Sequence, residues 1–373
     1  MIGRKREQDI LDRCLRSKRP EFLVVYGRRR VGKTFLIREY FHDRFAFYAT
    51  GVHGEKTRQQ LKAFLDSLVR YSQKKQKLPA DWFEAFARLR ELLEAENAVR
   101  DPVSGKRVVF LDELPWMDTA RSDFRTALDY FWNSWGSTQK DLLLIACGSA
   151  TSWITDHLLT DTGGFYNRVT GQMHMKPFTL AECEALFREN QMEMPRNLIL
   201  QSYMVFGGIP QYLNNLDRRL SLDQNIEQLC FAESGEMRDE YDRLFRSLFK
   251  NADKHMTVIE QLSRSSGGML RTQLAANPKI GDGESLTRTL SELEQCGFIR
   301  KYQNVVKEKY GFYYQIIDPF TLFSLRFLRD RRISSWMEFI GTPGYYSWCG
   351  NAFEMLCLNH VPQIKQVLGI PGV

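Results

Sequence analysis

The feature that most constrains this chain is the stretch 22–34, where a short apolar run leads directly into a glycine-rich loop. Residues 22–26, Phe-Leu-Val-Val-Tyr, have the composition of a short buried strand. The pattern Gly-x-x-x-x-Gly-Lys-Thr follows, and the residues after it predict a helix. A strand, this loop and a helix, in that order, form the setting of a phosphate-binding loop (P-loop). A chance glycine-rich turn would have to match every fixed position by accident, so we predict a nucleotide site.

The residue types in this loop suit the phosphates of a nucleotide. Gly27 and Gly32 let the backbone turn tightly, so that successive N–H groups point inward at phosphate oxygens. The helix that follows adds the positive end of its dipole. Lys33 can reach the β- and γ-phosphates, and the hydroxyl of Thr34 can bind Mg²⁺. The predicted nucleotide-binding residues of the loop are Gly27, Arg28, Arg29, Arg30, Val31, Gly32, Lys33 and Thr34.

A second apolar run, residues 107–111, ends in the adjacent carboxylates Asp112 and Glu113, the arrangement known as Walker B. Asp112 is predicted to bind the coordination shell of Mg²⁺, usually through a water molecule. Glu113 is predicted to orient and polarise the attacking water. Two surface acids at the end of a strand, without a role in a site, are the alternative. The P-loop about 80 residues upstream makes a paired site the better interpretation. A glutamate directly after the aspartate favours hydrolysis over binding alone.

The predicted nucleotide is ATP. Residues 138–141, Thr-Gln-Lys-Asp, superficially match the guanine-binding pattern of GTPases. They precede the apolar run 142–147, whereas a base-binding loop should follow a strand, and no suitable Asp-x-x-Gly accompanies them. We therefore reject GTP.

Two further residues are candidates for a catalytic role. The strand that begins with the apolar run 142–147 is predicted to end in Gly148-Ser149. Ser149 would there lie beside the γ-phosphate as a sensor, if that strand neighbours the Walker B strand. Arg168 follows Gly-Gly-Phe-Tyr-Asn and precedes a strand predicted within 169–178. It would supply the positive charge that a phosphoryl-transfer transition state needs. A small residue ending a strand and a surface arginine are the respective alternatives.

Composition limits the class of protein. A chain of 373 residues predicts roughly two or three domains. Its net charge of +7 permits contact with nucleic acid without demanding it. Seven scattered cysteines without a Cys-x-x-Cys pair argue against a zinc or disulfide framework. The charged first residues do not suit a signal peptide, and the apolar runs are too short to span a bilayer, so we expect a cytoplasmic protein.

Taken in order, the motifs resemble the archaeal-type ATPase family of STAND NTPases, which is related to AAA+ proteins. They are Gly-Arg at residues 3–4, Tyr-Gly-Arg-Arg-Arg-Val-Gly-Lys-Thr, Phe-Leu-Asp-Glu-Leu-Pro-Trp, Cys-Gly-Ser, Tyr-Asn-Arg and Lys-Pro-Phe-Thr. The resemblance implies that Arg4 belongs to an entry segment packed near the adenine, although a solvated helix start explains it equally. Gly208-Ile-Pro210 matches the Gly-x-Pro motif, which in STAND proteins reports on bound nucleotide. The family usually has Tyr-Gly-Arg where this chain has Tyr-Asn-Arg, so the arginine is kept while the residue before it departs from the family's pattern.

The resemblance implies an α/β fold: a P-loop NTPase core with a parallel five-stranded sheet, then a helical lid and a winged-helix domain. The boundaries we expect are 1–178 for the core, 179–242 for the lid, 243–320 for the winged helix and 321–373 for a C-terminal helical segment. The third winged-helix helix, within 285–296, offers acidic as well as basic outward positions. The wing adds Arg300, Lys301, Lys307 and Lys309. We favour an inter-domain or protein-docking role over sequence-specific DNA reading.

Family relatives often carry a restriction-nuclease-like domain next, whose first helix has a glutamate placed like Glu354. The remaining ligands of such a nuclease would lie beyond residue 373, and a lone glutamate cannot hold a catalytic metal. These residues therefore suggest a truncated or vestigial nuclease part, and no nuclease activity is predicted for them.

The function we expect is that of a Mg²⁺-dependent ATPase acting as a nucleotide-driven conformational switch, slow without a partner. ATP would clamp core to lid, and hydrolysis would release the winged-helix arm. Two alternatives stay open. One is a nucleotide-locked scaffold for a protein partner with negligible hydrolysis, and the other is a DNA-associated ATPase resembling origin-recognition proteins. Partner, signal and oligomeric state are not fixed by the sequence.

Overall fold

The computed structural model describes residues 2–159, 168–249, 251–303, 311–329 and 333–370. The chain divides into two compact units. The first comprises Gly3–Arg28 and Gly32–Met175, and the second comprises Ile2, Arg29–Val31 and Lys176–Val373. Within the described ranges, no helix combines the length and the apolar content that crossing a membrane requires.

The first unit is built on a five-stranded sheet in which every pairing is parallel. Its strands in chain order are β1 Glu21–Tyr26, β2 Phe47–Thr50, β3 Arg107–Asp112, β4 Leu142–Gly148 and β5 Gly171–His174. Their order across the sheet is β2-β3-β4-β1-β5. The predicted α/β fold with a parallel five-stranded sheet is confirmed.

The burial of the strands explains their positions in the sheet. The inner strands β3 and β4 are buried along their whole length, and β1 is buried except at Tyr26. Near-continuous apolar runs of this kind suit strands that are covered on both faces. The edge strands β2 and β5 alternate buried and more accessible residues. Because parallel strands end at the same edge, the segments that follow β1, β3 and β4 share the carboxyl edge of the sheet.

The helices of the first unit cover the sheet. They are α1 Lys5–Arg16, α2 Lys33–Tyr40, α3 Thr57–Ser72, α4 Trp82–Glu94, α5 Leu114–Met117, α6 Phe124–Ser134 and α7 Thr151–Ile154. The core contains an aromatic cluster from β2, α3, α4 and α6, whose members include Phe47, Phe64, Trp82, Phe86 and Phe124. Each such buried side chain contributes about 1.5–3 kcal/mol through the hydrophobic effect, so this cluster fixes the sheet that carries the P-loop.

The second unit is mainly helical. Its helices are α8 Leu180–Glu189, α9 Arg196–Phe206, α10 Pro210–Asn214, α11 Leu222–Ile226, α12 Glu240–Leu248, α13 Ala252–Leu262, α14 Arg271–Ala275, α15 Glu284–Gln295, α16 Pro319–Phe323, α17 Trp336–Phe339, α18 Pro343–Asn359 and α19 Val361–Val367. The strands β6 Met269–Leu270, β7 Ile299–Gln303 and β8 Phe312–Ile316 form an antiparallel sheet in the order β6-β8-β7.

The helices α12 to α15 and this small sheet share one apolar core. Helix α15 ends before Gly297, whose φ of +73° is a left-handed conformation that glycine adopts without strain. Helix α12 extends across the boundary expected at residue 242, because Tyr241, Leu244 and Phe245 pack into the same core. Lys307 and Lys309 of the expected wing lie outside the described residues.

The C-terminal segment packs through aromatic side chains. Trp336 lies against Phe323, Phe327 and Trp348, and its indole N–H donates to Asp223 at 2.9 Å. Glu354 lies on α18 with its side chain exposed.

Candidate functional site

The glycine-rich loop begins at the end of β1, and its first glycine lies tightly against a neighbouring strand. Met175, just after β5, donates its N–H to the carbonyl of Tyr26 at 2.8 Å. A Cβ on Gly27 would lie 2.3 Å from the carbonyl oxygen of Met175, and the φ of Gly27 is +139°. Both facts exclude a side chain here, which is the reason for the first glycine of the pattern.

The second glycine has the opposite surroundings. Gly32 directly precedes α2, with a φ of +90°, and a Cβ built on it would meet no atom within 4 Å. The backbone therefore faces open space at the amino end of a helix. Open space at the positively polarised amino end of a helix fits the phosphates of a nucleotide.

Lys33 lies at the centre of the site. Its side chain is buried, and the ammonium donates to the carbonyl of Gly27 at 2.8 Å, that of Arg28 at 2.9 Å and the hydroxyl of Ser149 at 3.0 Å. An ammonium has three N–H groups, so these oxygens match its donors. The lysine ammonium is thus held against the backbone of the same loop, at Gly27 and Arg28.

Thr34 and Asp112 bring the two motifs of the sequence together. The threonine hydroxyl donates to Oδ2 of Asp112 at 2.8 Å, and Oδ1 accepts the backbone N–H of Glu113 at 3.0 Å. Burial, and then the charge of Glu113, raise the pKa of the Asp112 carboxyl, while the bond from Thr34 opposes this. A buried carboxylate beside a hydroxyl oxygen is the kind of oxygen donor set that fits Mg²⁺.

Glu113 follows β3 in a left-handed backbone conformation, with φ and ψ both 45°. This conformation costs a non-glycine residue about 1–2 kcal/mol. Oε1 accepts the hydroxyl of Ser149 at 2.7 Å, and Oε2 accepts the backbone N–H of Ser149 at 3.2 Å. The predicted proximity of Ser149 to the Walker B strand follows from the pairing of β3 with β4.

The arginines of the loop have different surroundings. Arg28 is buried in the first unit, whereas Arg29, Arg30 and Val31 belong to the second. Within that second unit, the guanidinium of Arg30 forms an ion pair with Glu240. Glu240 is fully buried and also accepts the hydroxyl of Tyr212 at 2.8 Å. Sequence reasoning missed Glu240, because a glutamate in an amphipathic helix ordinarily indicates the solvated face.

Arg4 and Arg168 lie in different settings. Arg4 is buried at the start of α1 and pairs with Glu7 at 3.6 Å. Arg168 is exposed in a turn ahead of β5. Tyr166 and Asn167 of its motif lie outside the described residues. The roles expected for both arginines stay predictions.

The chain is similar in sequence to a family of ATPase domains and to a protein of an archaeon. Residues 1–216 match a family described as an ATPase domain predominantly from Archaea. The protein MJECL04 of Methanocaldococcus jannaschii is 24% identical over 338 residues, which cover 88% of this chain and 68% of that protein.

Two solved structures are similar in fold. The Walker-type ATPase PABY2304 of Pyrococcus abyssi has a TM-score of 0.62 at 21% identity, covering 87% of this chain and 96% of that one. The ORC2 protein of Aeropyrum pernix, solved as ADPNP–ADP complexes, has a TM-score of 0.52 at 13% identity, covering 87% and 93%. Likeness at this identity concerns the fold. The family match spans more than half of the chain, the P-loop and the Walker B acids included, and the chain therefore belongs to the family of ATPase domains found predominantly in Archaea.

Proposed function

We propose that this chain binds ATP with Mg²⁺, hydrolyses it, and acts as a nucleotide-driven conformational switch. The observation that carries the proposal is the meeting of Lys33, Thr34, Asp112 and Glu113 at one edge of the sheet. Ser149 bonds to both Lys33 and Glu113, and Asp112 bonds directly to Thr34 and to the N–H of Glu113. Membership of an ATPase family supports hydrolysis in general. The magnesium dependence, the roles of individual residues and the switch are our proposals.

Each residue has a distinct part in the proposed reaction. The amides of residues 27–32 and the ammonium of Lys33 bind the phosphates, while Thr34 and Asp112 hold the metal. Bound Mg²⁺ neutralises charge on the β- and γ-phosphates. Glu113 orients the attacking water and accepts its proton, a contribution of roughly 10²–10⁴ in rate. Arg4 is proposed to pack near the adenine and Arg168 to supply positive charge in the transition state, in its own site or in that of a neighbouring copy.

The Gly-x-Pro segment supports a nucleotide-sensing part in the second unit. Phe178 donates its N–H to the carbonyl of Gly208 at 2.6 Å, and a Cβ on Gly208 would lie 2.0 Å from the carbonyl oxygen of Phe178. Pro210 begins α10 directly afterwards. Because Phe178 and Gly208 are in such close contact, a displacement of one of these backbone segments has to move the other. A switch element needs this kind of coupling.

We also propose that α13 to α15 with β6 to β8 form a winged helix that docks on protein. The exposed positions of α15 include Glu284 and Glu294 as well as Arg288, and Arg288 is bonded to Glu292 at 2.9 Å. A helix that reads DNA presents basic or amide groups to the major groove, and this mixed face favours a protein partner. Duplex binding measured against salt tests the choice: affinity that falls steeply with log salt would favour DNA.

The main test uses Lys33→Ala and Glu113→Gln in the full chain, with Lys62→Ala, an exposed position on α3, as the matched control. Binding is followed with a fluorescent ATP analogue and hydrolysis by phosphate release. Lys33→Ala should weaken binding roughly 10- to 100-fold, from the ~1.5–3 kcal/mol of a charge-assisted hydrogen bond. Glu113→Gln should bind normally and hydrolyse roughly 10²–10⁴-fold more slowly. Lys62→Ala should match the wild type.

Two results would contradict the proposal. Unchanged phosphate release in both variants would reject the site itself. Normal ATP binding with the same single-turnover rate in Glu113→Gln and the wild type would favour the nucleotide-locked scaffold, in which hydrolysis has no part.

A further inference from the structure

Ser149 contacts Glu113 in a way that a residue merely ending a strand does not require. Its hydroxyl and its backbone N–H donate to different oxygens of one carboxylate, at 2.7 Å and 3.2 Å. Two donors from a single residue fix the plane of the carboxylate as well as its position, because a rotation that keeps one bond breaks the other.

The direction of the hydroxyl bond is set by Lys33. The lysine ammonium lies 3.0 Å from the same hydroxyl oxygen and has protons to give but no lone pair. It therefore occupies an acceptor site on the oxygen, and the single hydroxyl proton is left to point at Glu113. The result is a polarised chain from Lys33 through Ser149 to Glu113, strengthened by the low dielectric of a buried site.

The backbone on both sides of this contact is held firmly. Gly148 ends β4 and packs so closely on Pro115 of α5 that a Cβ there would lie 2.6 Å from the proline ring. On the other side, a Cβ on Gly51 would lie 2.5 Å from the carbonyl oxygen of Glu113. The main chain of Glu113 is thus confined while its side chain has rotatable bonds, and Ser149 restrains those rotations.

We propose that Ser149 is the positioning residue of Glu113: it fixes the carboxylate that orients the attacking water, and it acts on hydrolysis through Glu113. This inference rests on the proposed function. It differs from the sensor role expected from the sequence, in which the serine lies beside the γ-phosphate.

A double-mutant cycle separates the two roles. Effects of residues that act as a unit are non-additive, whereas independent contacts multiply. The variants are Ser149→Ala, Glu113→Asp and the pair combined. Glu113→Asp keeps a carboxylate, and so leaves a measurable rate, but shortens the side chain so that it no longer reaches the serine hydroxyl. Ser149→Thr retains the hydroxyl, and Ser122→Ala, a buried serine elsewhere in the first unit, is the matched control.

Single-turnover hydrolysis and the dissociation constant of a fluorescent ATP analogue are measured for each variant, with thermal unfolding as the check on folding. We expect Ser149→Ala to slow hydrolysis roughly 10- to 100-fold, the effect of a misoriented catalytic group. Binding should stay within about twofold. Ser149→Thr should recover most of the rate, Ser122→Ala should retain all of it, and the combined variant should be no slower than Glu113→Asp.

A combined variant slowed by the product of the two single effects would overturn the inference. So would a Ser149→Ala variant whose main change is weaker binding of ATP, because that indicates a direct phosphate contact. Failure of the proposed function is distinguishable, since a wild-type chain that hydrolyses no ATP reveals it before any substitution is compared.

Discussion

The hydroxyl of Thr34 donates a hydrogen bond of 2.8 Å to the carboxylate of Asp112, although 78 positions separate the two residues in the chain. The contact exists because β1 and β3 are both parallel to β4 and end at the same edge of the sheet. It places a hydroxyl oxygen and a carboxylate side by side, which is the donor pair that the proposed metal requires.

Thr34→Val and Thr34→Ser test that pair. Valine has the shape of threonine without the hydroxyl, so it should remove the metal ligand and the bond to Asp112 together. We expect hydrolysis by Thr34→Val to fall at least about tenfold at saturating ATP and to require more Mg²⁺, whereas Thr34→Ser should stay close to the wild type. A magnesium titration of the hydrolysis rate is the measurement. Equal magnesium curves for the valine and serine variants would show that the hydroxyl holds no metal.

Gly27→Ala tests the close approach at the start of the loop. Its Cβ would lie 2.3 Å from the carbonyl oxygen of Met175, so the backbone has to move. We expect a loss of about 2–4 kcal/mol in the free energy of unfolding, from overpacking added to an unfavourable φ. Gly105→Ala is the control, because Gly105 also has a positive φ, +71°, yet a Cβ there meets open space. It should lose only about 1 kcal/mol. Denaturant unfolding is the measurement. Equal losses of unfolding free energy in the two variants would mean that the loop accommodates the Cβ at residue 27 without strain.

Glu240→Gln tests the buried ion pair of the second unit. Glu240 is fully buried and paired with Arg30, and removing its charge leaves the guanidinium without its counter-ion. Breaking a fully buried pair costs about 3–5 kcal/mol, and the partial exposure of Arg30 lowers our expectation to about 2–3 kcal/mol. Glu236→Gln, an exposed position bonded to Asn215 at 3.0 Å, should change stability by less than about 0.5 kcal/mol. Equal denaturation midpoints for the two variants would contradict the prediction.

Glu292 gives the second unit a defined pH dependence. Burial acts to raise the pKa of its carboxyl, but the bonds from His255 and Arg288 outweigh burial and hold the pKa below its usual value. A lowered carboxyl pKa contributes stability above the unfolded value, about 4.3, that is lost as the pH falls through the folded value.

At pH 7 we therefore expect Glu292→Gln to be destabilised by about 1.5–3 kcal/mol, the value of hydrogen bonds to a charged group. The difference from the wild type should shrink as the pH is lowered below ~4.3. Denaturant unfolding at a series of pH values is the measurement, and Glu294→Gln, at an exposed position, is the control. A difference that stays constant down to pH ~3.5 would mean that the charge of Glu292 contributes nothing.

The sequence predicted the elements whose signal is local. The strands β1, β3 and β4 are apolar runs bounded by turn residues. The P-loop and the Walker B acids are contiguous patterns. The positions of all of them could therefore be predicted from the amino-acid sequence alone. Strand β6 was not predicted. It has just two residues, Met269 and Leu270, and is a strand because each pairs with a tyrosine of β8. Two residues are too few to show the alternation of apolar and polar side chains by which a strand is recognised in a sequence. This strand is therefore defined only by its pairing with β8.

The side-chain links of the site were beyond the sequence for a similar reason. That Ser149 lies beside the Walker B strand was predictable from the usual strand order. That it holds both carboxylate oxygens of Glu113 depends on the left-handed turn after Asp112, which the residue types at 112–115 do not indicate. Arg30 and Glu240 are paired although they lie far apart in the chain, and a pattern read over a few residues cannot contain such a pair.

The position of β1 in the sheet has a consequence for biosynthesis. The neighbours of β1 are β4 and β5, whereas β2 pairs with β3. On the ribosome, the apolar strand Glu21–Tyr26 emerges early but has to wait for Leu142–Gly148 before it gains a neighbour. At ~5–20 residues per second this delay is about 6–24 s, long compared with hydrophobic collapse. We therefore expect chaperones that bind nascent chains at the ribosome to shield the segment around the P-loop during translation.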